Sequence, residues 1–181
     1  MASQTAAPEG EVRVQLQTLH DLFVEQLQDL YSAETQLVQA LPTMADSATH
    51  DELRQAFRHH LDETREHVAR LDEIFGELGV TGSGETCKGM QGLIAEGREF
   101  VNAGGDPSVR DAALIAAAQR VEHYEIAAYG TVRTLAGELD LDHAKDLLDQ
   151  TLDEESQADK LLTKIATGGM FKAGINQNAR S

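Results

Sequence analysis

The chain is 181 residues long and carries a formal net charge of −16 at pH 7, with 31 Asp and Glu against 15 Lys and Arg. That balance repels phosphate backbones and anionic lipid surfaces, which excludes nucleic acid and membrane as partners, and no stretch reaches the ~18 apolar residues of a membrane span. Three Pro, no Trp and a lone Cys beside abundant Ala, Leu, Glu and Gln predict one all-α domain, free of internal disulfides and suited to the reducing cytoplasm.

Residues 1–10 lack the basic start and apolar run of a secretory signal and are expected to be flexible. The first helix is expected over about residues 11–45, bent at Pro42. Its apolar stripe of Phe23, Leu27, Leu30, Leu37 and Leu41 advances by fours and threes, and Glu34 occupies one of the slots. Thr49 followed by Glu52 predicts a capping box for the second helix, which Gly79 stops. That helix carries Glu63 and His67, four apart on one face, with Glu66 as an alternative ligand and His60 one turn earlier.

A Gly-containing break then leads to a short amphipathic helix over 90–101, whose Leu93, Ile94, Phe100 and Val101 offer a face for a homodimer. Asp106-Pro107 reads as the N-cap and first residue of the third long helix. There Glu125 interrupts the stripe of Leu114, Ala118, Val121, Ala128 and Val132, with Glu122 three residues before it. The fourth helix, over about 142–166, sets Glu155 and Asp159 among Leu148, Leu152 and Leu162. Residues 167–181 read as a loose tail or one laid over a neighbouring subunit. Cys87 has no base beside it and reads as a structural thiol.

Glu34 and Glu63 lie nearly equidistant from the first turn, and Glu125 and Glu155 from the second. Packing the two hairpins together puts these acids in one layer of the core, with no Lys or Arg in the same slots. Buried carboxylates without partners cost several kcal/mol each by order of magnitude, and they respond by taking protons or a cation. The layer therefore predicts a metal centre ligated by Glu34, Glu63, His67, Glu122, Glu125, Glu155 and Asp159. A set dominated by carboxylates suits two Fe or Mn ions, and Zn is compatible. Tyr31, Tyr124 and Tyr129 fall close enough to hydrogen-bond those carboxylates.

Two short-looped hairpins joined by a long, helix-containing crossover describe an antiparallel four-helix bundle of ferritin-like topology, with residues 11–166 as the domain. The run from Leu19 to Glu34, the run from Ala118 to Gly130, His60-Leu-Asp-Glu-Thr64 and Thr151-Leu-Asp-Glu-Glu155 together resemble the YciE/YciF family of bacterial ferritin-like proteins over residues 14–166. The resemblance implies a rubrerythrin-like bundle, a stress-linked role and a binuclear metal centre. Against the rubrerythrin pattern, Thr64 stands where a glutamate is expected, and Ala158 where a histidine is expected. There is no Cys-x-x-Cys pair for an internal rubredoxin-like iron.

Two functions follow from these residues. One is a non-haem dimetal oxidoreductase reacting with oxygen or peroxide. The other is a structural or interaction stress protein whose metal site only stabilises it, a reading the Thr64 and Ala158 departures favour. Iron storage would need a cage-lining fifth helix, which the residues after Ala166 do not resemble.

Overall fold

The computed structural model describes residues 16–169 and 172–180, and these form a ferritin-like helical bundle. The four long helices are α1 (Leu19–Ser47), α2 (Asp51–Leu78), α4 (Pro107–Glu138) and α5 (Asp142–Thr167), with α3 (Lys88–Val101) inside the crossover. Helices α1 and α2 pack as one hairpin and α4 and α5 as the other, and the hairpins meet through α1 on α4 and α2 on α5. None of the described helices is long and apolar enough to cross a membrane.

Local chemistry sets the helix ends. α1 begins later than the expected start at about residue 11, at Leu19, where Thr18 and Asp21 form a capping box in which each side chain accepts the other's backbone N–H. Residues 11–15 of the predicted helix lie outside the described residues, as does the segment 1–10. Pro42 sits inside α1, which continues to Ser47. The capping box expected at Thr49 and Glu52 does not form: His50 is the N-cap of α2 and gives no side-chain cap. Asp111, reaching across from α4, instead accepts from the Thr49 hydroxyl at 2.7 Å and from the His50 amide at 2.7 Å, so the first turn is tied to the second hairpin. Gly79 ends α2 at φ 66°, in the left-handed region that favours glycine. Asp106 caps α4 by accepting from the Ser108 and Val109 amides, with Pro107 at the first helical position.

In the crossover, the Cys87 sulfur caps α3 and is itself buried beside Asp29 and the Tyr124 hydroxyl. Burial pushes its thiol up, so it is an inert structural cysteine. Leu93, Ile94, Phe100 and Val101 are partly buried against their own bundle. The C-terminal segment likewise packs on its own chain. Strands β1 (Gly168–Gly169) and β2 (Lys172–Ala173) pair antiparallel, and α6 (Ile175–Asn178) buries Ile175 in the core.

The interior has three layers. Near the α1–α2 turn an apolar cluster gathers Leu41, Leu53, Phe57, Leu114, Ile115 and Leu162. Near the α4–α5 turn a second cluster gathers Phe23, Leu27, Leu71, Ile74, Val132 and Leu148. Each such side chain contributes on the order of 1.5–3 kcal/mol by leaving water. Between the clusters lies a polar layer in which Glu34, His60, Thr64, His67, Glu122, Glu125, Thr151 and Glu155 are all buried.

Candidate metal centre

Every long helix contributes to the polar layer from its buried stripe. α1 supplies Glu34, α2 His60 and His67, α4 Glu122 and Glu125, and α5 Glu155. Their ligand atoms form two groups, each within 4.8 Å: His60, Glu122, Glu125 and Glu155, and then Glu34, His67 and Glu155. Glu155 belongs to both, so one carboxylate joins two clusters of potential ligands.

Few of these atoms are satisfied by protein. Nine buried side-chain atoms of the six residues lack a hydrogen-bond partner: both oxygens of Glu125 and of Glu155, both ring nitrogens of His60, His67 Nδ1, Glu34 Oε2 and Glu122 Oε2. Buried polar groups in proteins are nearly always paired, so such a concentration of unpaired ligand atoms is a group that could hold a metal ion. The nearest nitrogen–oxygen approaches are ion-pair distances: His67 Nδ1 to Glu155 at 3.1 Å and to Glu34 at 3.4 Å, and His60 Nε2 to Glu122 at 3.6 Å.

His67 is oriented from behind. Its Nε2 lies 2.9 Å from Glu154, whose carboxylate is gripped by both terminal nitrogens of Arg70. Although burial works against it, His67 and Arg70 hold Glu154 ionised, well below the usual carboxylate range. An ionised carboxylate can only accept, so the imidazole donates from Nε2 and its Nδ1 faces the cluster. A carboxylate behind a histidine is the arrangement that fixes the tautomer of metal-ligating imidazoles. On the opposite side the Tyr129 hydroxyl donates to Glu34 Oε1 at 2.5 Å and is completely buried.

The electrostatics show what the layer does without a cation. Burial pushes Glu34, Glu122 and Glu125 above the ordinary carboxylate range, and around Glu125 the charges of Glu34, Glu155 and Glu122 add to the shift. Burial acts the same way on Glu155, but His60 and His67 outweigh it and keep that residue low. Burial disfavours charge on His60, yet Glu122 and Glu155 push it up to about 10. His67, opposed by burial but surrounded by Glu154, Glu155 and Glu34, is pushed up to about 12. Protons thus occupy the layer, and a polyvalent cation is the natural competitor for the same lone pairs.

Of the seven ligands expected from sequence, the structure brings together Glu34, His67, Glu122, Glu125 and Glu155, and leaves Glu63 and Asp159 outside both groups. Glu63 is partly exposed and lies near His59 and His60. Thr64 occupies the stripe position beside it, with its hydroxyl donating to the His60 carbonyl. Asp159 accepts from Gln119 at 2.8 Å and lies 3.6 Å from His123. Glu66 points to solvent. His60, one turn before the predicted pair, is in the cluster itself; its spacing of four to Thr64, and of three more to His67, is the signal for it in the sequence. The Glu154–Arg70 support is not legible in the sequence, because it depends on how α2 and α5 meet. Of the tyrosines only Tyr129 reaches the layer, while Tyr124 donates to Asp29 and Tyr31 lies by Asp72.

Fold and site define a ferritin-like bundle protein with a carboxylate- and histidine-rich mid-plane. Residues 18–179 match the family described as "Domain of unknown function (DUF892)", and the chain belongs to that family. It is 43% identical to protein YciF of Escherichia coli K12 over 163 residues, covering 90% of this chain and 98% of that one. The crystal structure of that E. coli stress protein superposes with a TM-score of 0.83 at 42% identity, over 92% of this chain and all of the other. YcfI of Rhodopseudomonas palustris, provisionally assigned as a structural protein, gives 0.81 at 41% identity, over 87% and 99% of the two chains. A Xanthomonas campestris protein with 18% identity and a TM-score of 0.65 shares the fold.

Proposed function

We propose that this chain is a dimetal protein of the bacterial stress response, binding two Fe or Mn ions at Glu34, His60, His67, Glu122, Glu125 and Glu155 and reacting with peroxide or oxygen. The observation that carries the reading is the convergence of nine unpartnered buried ligand atoms on one layer, with Glu155 shared between two groups. The description of the E. coli relative as a stress protein supports the setting. Divalent Fe or Mn, once bound, supplies the electrons that reduce an oxidant.

The chain's own residues set the conditions for that chemistry. Glu154 and Arg70 fix His67 so that Nδ1 faces inward. Tyr129 holds one Glu34 oxygen, leaving Oε2 free to ligate. The apolar clusters above and below keep bulk water away, which strengthens every charge interaction in the layer. His60 turns Nε2 toward Glu122 and Glu155, so that ring nitrogen is the one placed to ligate.

Metal content after anaerobic loading with Fe(II) or Mn(II), followed by stopped-flow oxidation with hydrogen peroxide, tests the reading. About two ions per chain and oxidation faster than that of free Fe(II) are expected. Folded protein that takes up less than about a tenth of an ion overturns the metal centre. Bound iron that is oxidised no faster than in buffer overturns the enzyme reading in favour of a structural protein whose metal only stabilises it. That second reading draws support from Thr64 and Ala158 and from the assignment of the R. palustris relative.

A further inference from the structure

Beside His60 the polar layer meets a cavity of about 200 Å³ between α2 and α5, with Glu122 of α4 at its floor. His60 and Glu122 form its inner wall, Phe57, Ala158, Leu161 and Leu162 its apolar sides, and His59, Glu63 and Gln157 its polar edge, with Glu63 3.6 Å from His60 Nδ1. It adjoins a wider surface groove that shares Ala56, His59 and Leu161 with it and runs past Ile165 to the β1–β2 hairpin, so there is a path from solvent. The space exists because position 158, one turn after Glu155, carries only a methyl group.

We propose that this cavity is an organic-substrate subsite, which takes a compact, neutral hydroperoxide with its O–OH head at His60 and Glu122 and its branched alkyl or aryl body between Phe57, Ala158 and Leu162. The proposal rests on the peroxide reading above and adds the substrate class. Dioxygen and hydrogen peroxide are two heavy atoms each and need no such room. An apolar cavity of ~150 Å³ already holds a benzene-sized molecule, so this one admits a tert-butyl or cumyl group. The polar end is ready for a ligand: both His60 nitrogens and Glu122 Oε2 are buried and have no hydrogen-bond partner. The head group lies against these two side chains and accepts from the His60 ring N–H that stays free when the other nitrogen ligates an ion. The charge of −16 selects a neutral molecule over a carboxylate-bearing lipid peroxide. The reduction this serves breaks the O–O bond, takes up two electrons and two protons, and yields one alcohol and one water, the electrons coming from the two bound Fe(II).

The test separates binding from turnover. In the first arm, metal-free protein is titrated with 2-phenyl-2-propanol, the redox-inert alcohol product, and followed by methyl chemical shifts. Saturable shifts at Ala158, Leu161 and Leu162 are expected. Ala158→Phe, which fills the cavity, and Leu161→Trp, which narrows its half-exposed edge and does not depend on repacking the core, should each weaken binding at least tenfold. In the second arm, Fe(II)-loaded proteins are oxidised by cumene hydroperoxide and by hydrogen peroxide, and the ratio of the two rates should fall at least tenfold in either variant. Absence of saturable shifts in the unsubstituted protein, or equal affinity and an equal rate ratio in a folded variant, overturns the subsite. If the alcohol binds as described but neither peroxide oxidises bound iron faster than free iron, the peroxidase reading fails, and the hydroperoxide assignment fails with it, while the binding cavity stands.

Discussion

Two histidine–carboxylate trios in this molecule have the same composition and nearly the same spacing, yet different surroundings. In the bundle interior His67 lies 3.1 and 3.4 Å from Glu155 and Glu34, all three side chains being 0% exposed. On the surface His143 lies 2.8 and 3.4 Å from Glu73 and Glu77, all about half exposed. Around the outer trio water solvates each charge, and the pair is a salt-screened contact of small worth. The inner trio has no water to fall back on, and its unpaired oxygens must be answered by protons or by a cation. Burial, rather than ligand type or spacing, separates a candidate metal site from a decorated surface.

The comparison can be broken most directly at the shared carboxylate. Glu155→Ala should weaken Fe(II) or Mn(II) binding by more than the ~10–100-fold typical of losing an outer partner, whereas His143→Ala should leave affinity and melting temperature unchanged. Calorimetric titration of both variants decides it, and equal losses would place the ion on the surface.

A second substitution turns the burial argument into stability. Both oxygens of Glu125 are buried without a partner, so Glu125→Leu should make the metal-free protein more stable, by about 1–4 kcal/mol, while removing metal uptake. Denaturant unfolding without and with metal measures both, and a destabilised metal-free variant would mean that the carboxyl is held by contacts beyond those seen.

The pH dependence sharpens the contrast further. Glu34, Glu122 and Glu125 are raised from 4.5, and His60 and His67 are raised from 6.5 to about 10 and about 12, so the folded metal-free chain holds protons that the unfolded chain releases. That stability is fully present below the unfolded values and is lost as pH rises through the folded ones. Glu155 and Glu154, held low, act in the other direction, and their contribution is lost on acidification. From about pH 6 to about pH 9 the metal-free melting temperature should therefore fall, while the loaded protein holds steady or gains, since metal competes better as protons leave. Thermal melts at the two values check this, and parallel curves would contradict it.

The smallest expected effect is at Arg70. Arg70→Ala frees Glu154 and loosens the hold on His67, which should cost about tenfold in metal affinity with the fold intact. An unchanged dissociation constant would show that His67 needs no such support.

The layer's existence was legible because Glu34, Glu125 and Glu155 interrupt apolar stripes of strict phase, and phase reports burial. Glu63 and Asp159 share the depth of that layer but stand one helical position, ~100° around the helix, from Thr64 and Ala158, and both are partly exposed and outside the two ligand groups. His60 is in phase with Thr64 and His67, but a histidine one turn from a ligand pair carries the same pattern whether it ligates or supports. Other features were beyond a one-dimensional reading. The Asp111 tie to Thr49 and His50 and the Arg70–Glu154 grip join residues far apart in sequence, and only the meeting of helices shows them. The start of α1 is legible in Thr18 and Asp21, which carry the spacing of a capping box.

The division of the six ligand candidates between the hairpins has a consequence for how the chain folds. Glu34, His60 and His67 belong to the α1–α2 hairpin and Glu122, Glu125 and Glu155 to the α4–α5 hairpin, so each half carries three and neither has a complete set. Each hairpin is built from contacts between neighbours in sequence and can form early, whereas joining the halves must close a long loop and press four carboxylates together. During synthesis the first half leaves the ribosome with its acids still in water, and the strongly repulsive step waits for the second. An ion captured as the halves meet would act on that step, lowering the barrier to docking as well as the energy of the finished bundle.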